Sequence, residues 1–165
     1  RCSPCRGRLA SVKTAQGTGT QGRRHGPSWQ GVCRVIGIVI VAHGGLAREY
    51  LSAVEHVVGK QAGMRAITIE DDHDRAAKQA EISAAADSVD TGRGVVVVTD
   101  MFGGSPANLS LPACGKGGRR ILYGANLPML IKLAKSRELD LPEAVSAALD
   151  AGRKYINSLD LGGGA

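Results

Sequence analysis

Aromatic residues make up only 3% of the 165-residue chain, so its core must be built from Val, Ile, Leu and Ala. No apolar run approaches the ~20 residues that a membrane-spanning helix needs, and residues 1–34 lack the apolar stretch of a secretory signal. The expected location is therefore cytoplasmic. Acid is missing from one region altogether: no Asp or Glu precedes Val35. Seven of the 21 basic residues lie there, leaving 14 basic against 15 acidic residues in the rest of the chain. The formal charge of +6 thus belongs to the leader. A nucleic-acid partner would need a basic face on the folded body, and none is expected. Of four cysteines only Cys114 lies in the body. Cys2-Ser-Pro-Cys5 has no second pair at zinc-site spacing, so it does not make a metal or redox motif. Dinucleotide G-x-G-x-x-G and phosphate-loop G-x-x-x-x-G-K-[ST] patterns are absent as well.

What is present is one dominant stretch, Val35-Ile-Gly-Ile-Val-Ile-Val-Ala-His-Gly-Gly45. Its β-branched residues suit a pleated strand, and the lack of polar alternation predicts burial on both faces, as in a parallel sheet. The run stops at His43, and Gly44-Gly45 allows a tight turn before a helical pattern begins. Taken alone, His43 is most simply a residue that closes a strand.

Residues 1–34 are rich in Gly, Arg, Ser, Thr and Gln and lack apolar periodicity, which predicts a disordered basic leader. The chain does not begin with Met, and the expectation is a cloning remnant or a mis-called start, with the natural start at or near Val35. A basic arm for an acidic partner is the opposing reading. Residues 35–160 are expected to form one domain, and 161–165 a flexible tail.

After the first strand, Leu46, Tyr50, Leu51, Val54, Val57 and Val58 recur at helical spacing, with Gly59 as the stop. His56 falls on this helix as a surface residue. A second strand spans Met64 to Glu70. Asp71-Asp72-His73-Asp74 then opens a helix to about Val89; capping and the helix dipole explain these acids more simply than a metal site does. Val95–Thr99 is a third strand, as apolar as the first. It ends in Asp100-Met-Phe-Gly-Gly-Ser-Pro-Ala-Asn108, where Ser105-Pro106 reads as N-cap and N1 of a third helix. Arg119–Tyr123 forms a fourth strand, with Pro128 in the first turn of the next helix. Asp140-Leu-Pro-Glu143 has the spacing of a capping box before a last helix that runs to about Ile156.

This alternation predicts an α/β fold: a doubly wound open sheet, mainly parallel, with helices on both faces and strand order 2-1-3-4. The switch point then lies between strands 1 and 3, so His43 and Asp100 reach one crevice. That convergence changes the reading of His43 from a strand end to a functional group. If Asp100 holds one ring nitrogen, the other keeps its lone pair for attack. The amides around Gly44, Gly103, Gly104 and Ser105, with the Ser105 hydroxyl, are candidate binders of a phosphoryl group. No water-activating base is left over, so reversible phosphohistidine chemistry fits better than hydrolysis.

Three motifs carry a resemblance. Ile36-Gly-Ile-Val-Ile-Val-Ala-His43-Gly, Asp100-Met-Phe-Gly-Gly-Ser-Pro-Ala-Asn108 and Gly124-Ala-Asn-Leu-Pro-Met-Leu130 resemble the IIA component of the mannose family of the bacterial sugar phosphotransferase system, over essentially Val35–Leu159. The resemblance implies that His43 takes a phosphoryl group on Nε2 from the histidine-containing phosphocarrier protein, with Asp100 on Nδ1 and Ser105 nearby. It also implies a homodimer, delivery to a IIB component, peripheral association with a membrane permease through IIB, and neither metal nor organic cofactor. A regulatory branch without transport, or phosphorylation of a dihydroxyacetone kinase subunit, is compatible with the same residues. A flavodoxin-like small-ligand module is the alternative of a different class.

Overall fold

The computed structural model describes residues 34–159. The expected leader up to residue 33 and the expected tail lie outside the described residues. In chain order the elements are β1 (Gly37–His43), α1 (Leu46–Val58), β2 (Met64–Ile69), α2 (Arg75–Val89), β3 (Val95–Thr99), α3 (Ser105–Cys114), β4 (Arg119–Leu122), α4 (Leu127–Lys135) and α5 (Leu141–Lys154). The four strands form one parallel sheet in the order β2-β1-β3-β4, as the sequence predicts.

Strand alternation divides the core in two. Ile36, Ile38, Ile40 and Ala42 project to one face with Val96 and Val98, against Val54 of α1, Leu130 and Leu133 of α4, and Ala144 and Ala148 of α5. Val39 and Val41 project to the other with Val95 and Val97, against Ile82 and Ala86 of α2 and Leu109 and Ala113 of α3. Every β1 residue before His43 is buried, which is why that strand shows no polar alternation. At about 1.5–3 kcal/mol per fully buried aliphatic side chain, this double-sided burial is the main force holding the sheet.

Several local expectations need correction. Leu46 and Val57 follow the helical spacing of α1 yet are exposed, because the stripe that meets the sheet runs through Ala47, Tyr50, Leu51, Val54 and Val58. The second helix starts at Arg75, not within the acidic run; Asp74 is its N-cap and accepts from the Ala76 amide at 2.9 Å. Ser105 is the first residue of α3, and Gly104 is its N-cap. Pro112, unremarked in sequence, lies inside α3. Lacking an N–H, it cannot extend the ladder, and the helix ends two residues later. Asp140 precedes α5 as expected but makes no capping hydrogen bond; its carboxylate lies 3.4 Å from Arg93 instead. α5 ends at Lys154, two residues short of the expected end.

At the amino ends of the strands, Arg137 is buried, with no carboxylate partner among the described residues. Its guanidinium donates to the carbonyls of Ile36 (2.6 Å), Ala62 (2.7 Å) and Gly63 (3.3 Å). The Ile36 amide returns a bond to the Arg137 carbonyl at 2.9 Å. One side chain therefore ties the entry of β1 to the entry of β2.

Candidate active site

The site forms because two buried strands stop almost level. Val41 pairs with Thr99, the last residue of β3. Two residues past Val41 stands His43; one past Thr99 stands Asp100. With β3 finished, the Asp100 carboxylate takes over from the ladder. Its Oδ2 accepts the His43 backbone amide at 3.0 Å and lies 2.7 Å from the ring Nδ1. Its Oδ1 accepts the Met101 amide at 2.9 Å. The aspartate side chain is mostly enclosed, at 12% relative exposure, while that of the histidine is 46% exposed.

Electrostatics follow from those contacts. Burial pushes the Asp100 carboxyl upward, but the hydrogen bonds from the His43 amide and ring, the charge of His43 and the Met101 amide together outweigh it. The net effect holds the carboxyl below its ordinary range, so Asp100 is an anion at neutral pH. An anion that accepts at Nδ1 fixes the ring with its proton on Nδ1 and its lone pair on Nε2. Among the described residues no partner occupies Nε2.

Gly44 (φ 51°) and Gly103 (φ 76°) turn the chain away from the two strand ends in the left-handed region that favours glycine. Their roles differ. The Gly44 amide is already spent on the Ile69 carbonyl at 2.8 Å, so Gly44 shapes the turn rather than offering a donor. The amides of Gly103, Gly104 and Ser105 meet no acceptor among the described residues, and they lie at the amino end of α3, where partial positive charge collects. Gly104 sits against the imidazole. A Cβ there would lie 3.1 Å from His43 Cε1, 3.1 Å from Met101 Cγ and 3.6 Å from His43 Nε2. Ser105 is exposed beside it. Asn108, quoted in the motif without a role, donates from Nδ2 to the Gly103 carbonyl at 3.2 Å and braces the glycine turn.

The other two described histidines do not join this pair. His56 is exposed on α1, and His73 Nδ1 lies 2.6 Å from the Glu70 carbonyl. No group of three or more His, Cys, Asp or Glu side chains among the described residues is placed to hold a metal ion. Nor is any described helix long and apolar enough to cross a membrane.

The site thus combines an exposed histidine, one ring nitrogen held by an anion, with unspent amides at the start of α3 close by. The family model of the phosphotransferase-system fructose IIA component matches residues 37–149. The chain belongs to that IIA family. The mannose-specific EIIAB component of Escherichia coli (strain K12) is 30% identical to this IIA chain over 127 residues, which cover 75% of the chain. That overlap spans 39% of the relative's length. Among solved structures, the phosphotransferase EIIA component of Streptococcus agalactiae shares the fold with a TM-score of 0.67 at 24% identity, covering 74% of this chain and 96% of that one. The mannose/sorbose-specific IIA subunit from Enterococcus faecalis superposes with a TM-score of 0.66 at 25% identity, covering 76% and 96%. The family match makes the chain a phosphotransferase-system IIA component.

Proposed function

We propose that this IIA protein is a phosphohistidine carrier in which His43 accepts a phosphoryl group on Nε2 from the histidine-containing phosphocarrier protein and passes it to a IIB component. The observation that carries the reading is the 2.7 Å contact between His43 Nδ1 and Asp100 Oδ2. With Nδ1 engaged, the Nε2 lone pair attacks phosphorus while the donor's N–P bond breaks and its electron pair returns to the donor nitrogen. No water is consumed, and the Nδ1 proton stays in place, where Asp100 balances the positive charge that develops on the ring. The amides of Gly103, Gly104 and Ser105, with the Ser105 hydroxyl, are the groups available to the phosphoryl oxygens.

Delivery to a protein partner is supported by the rim. Met101 and Phe102 are 54% and 75% exposed on the loop that follows Asp100, and Phe102 is held edge-on against Tyr123 with ring centroids 4.9 Å apart. Large apolar side chains kept in solvent beside a reacting atom suit a transient docking surface. A homodimer in the cytoplasm, reaching a membrane permease only through IIB, completes the proposal.

The test is direct. Incubated with phosphoenolpyruvate and the general phosphotransferase components, the protein should acquire one acid-labile, base-stable phosphate on His43. A label on His56 or His73, or none at all, would overturn the assignment.

A further inference from the structure

We infer that Tyr50, on α1, is a positioning residue for the His43–Asp100 pair, an inference that rests on the phosphocarrier reading above. The tyrosine hydroxyl donates to the Ala125 carbonyl at 2.8 Å. The Ala125 amide in turn donates to the Thr99 carbonyl at 3.0 Å. Thr99 is the last residue of β3 and Asp100 follows it. The peptide that carries the aspartate is therefore tied, through two hydrogen bonds, to a side chain on α1.

That connection closes a ring. From His43 the chain runs through the Gly44-Gly45 turn into α1 and reaches Tyr50; hydrogen bonds lead through Ala125 to Thr99; the backbone continues to Asp100, whose carboxylate returns to His43. The glycine turn carries no side-chain hydrogen bond among the described residues and is held by the Gly44 amide on the Ile69 carbonyl at 2.8 Å, and two adjacent glycines leave it ample backbone freedom. With the tyrosine bond present, α1 cannot swing on that turn without also pulling Ala125 away from Thr99. The alignment of Nδ1 on Oδ2 is thereby held from both strands.

The surroundings agree with this role. Tyr50 is half-buried and packs on the core that contains Val54 and Leu130, so its ring is placed by packing and only its hydroxyl reaches the brace. Burial, and then the charge of Asp100, push the phenol above its usual range. It therefore remains a neutral donor at working pH, and the aspartate charge is felt at the hydroxyl. Ala125 is itself a core residue, and Asn126 next to it caps α4 by accepting the Met129 amide at 3.0 Å. The acceptor that Tyr50 grips is thus fixed on its far side.

Tyr50→Phe tests the inference in the full-length protein, since it keeps the ring and deletes only the donor. Turnover of phosphoryl transfer from the phosphocarrier protein should fall about 3–10-fold, the cost of one such hydrogen bond expressed as geometry, with KM for that donor unchanged. The ¹⁵N shifts of the His43 ring should move from a pure Nδ1–H tautomer towards a mixture, and the Ala125 amide should exchange faster with solvent. A role confined to stability would lower the thermal midpoint while leaving tautomer and turnover alone, and that result overturns the inference. So does a raised KM at constant turnover, which would make Tyr50 a docking residue. If the wild-type protein takes no phosphoryl group at His43, the phosphocarrier reading falls, whereas the ring shifts of the two proteins still decide the role of Tyr50.

Discussion

The two ends of the same sheet treat polar groups in opposite ways. At the amino end, Arg137 is buried and spends its donors on the carbonyls of Ile36, Ala62 and Gly63. Nearby, Arg119 is buried against Asp87 and the Ala113 carbonyl, and Lys116 shares the same carboxylate at 2.8 Å. At the carboxyl end, His43 is exposed, and neither its Nε2 nor the amides that open α3 have a partner among the described residues. Hydrogen-bonding capacity is mostly consumed at one end, where Arg119 Nε is the one buried side-chain N or O atom left without a partner among the described residues, and kept in reserve at the other. The first end stabilises the molecule, because an unpaired buried group costs about 1–3 kcal/mol. The second is the end to which the proposed phosphoryl transfer belongs, because its groups have no partner among the described residues.

Substitutions can break this contrast from either side. His43→Ala should have the largest effect: no stable phosphorylation, with an unchanged thermal midpoint, measured by phosphate incorporation and calorimetry. Retained labelling would place the acceptor elsewhere. Asp100→Asn should slow transfer by about 10²–10⁴-fold, since the negative charge beside the ring is lost and an amide can accept at only one of the two oxygen positions that the His43 and Met101 groups use. A wild-type rate in single-turnover kinetics would reduce Asp100 to a turn residue.

Asp100→Asn also carries a pH signature. The folded-state pKa of Asp100 lies below its ordinary value, so the carboxylate contributes stability that is complete above the ordinary carboxylate range and is lost as pH falls through the folded pKa. The gap in unfolding free energy between wild type and variant should therefore close on acidification. A gap that stays constant down to the acid limit would contradict the depressed pKa.

Arg137→Met sharpens the comparison from the other end. It should cost about 2–4 kcal/mol of stability, because three carbonyls lose a charged donor, while folded molecules transfer phosphate at the wild-type rate. Denaturant titration and a rate normalised to folded protein separate the two. A smaller effect is expected for Gly104→Ala, whose methyl meets the imidazole edge and Met101 at 3.1 Å. The ring must give by a few tenths of an ångström, and transfer should slow by about tenfold with little change in melting. Smallest of all, removing the residues before Val35, with a Met added, should leave both thermal midpoint and phosphorylation rate unchanged. A drop in either would assign the basic leader a part in folding or partner binding.

The contacts of Tyr50 and Asn108 are not legible in the sequence. Tyr50 fell on the apolar stripe of α1 and looked like core, which its ring is; nothing local reveals that its hydroxyl reaches Ala125. Asn108 lay within a quoted motif, but its bond to the Gly103 carbonyl depends on how the glycine turn folds back over α3. Asp140 shows the reverse error. Its spacing to Glu143 satisfied a local capping rule, yet Arg93 from a distant turn lies beside the carboxylate.

The sequence by itself determined the strands, their order and the end of the sheet at which His43 and Asp100 meet. Unbroken β-branched runs must be buried on both faces, and parallel connections have one hand, so His43 and Asp100 had to converge. Only the tertiary structure decided how they converge. The level at which β1 and β3 stop turns a shared crevice into a 2.7 Å contact; the Ile69 carbonyl takes the Gly44 amide out of the donor set; and Arg137 closes the opposite end. These depend on where carbonyls and side chains far apart in the chain come to lie, and local propensity carries no information about such distances.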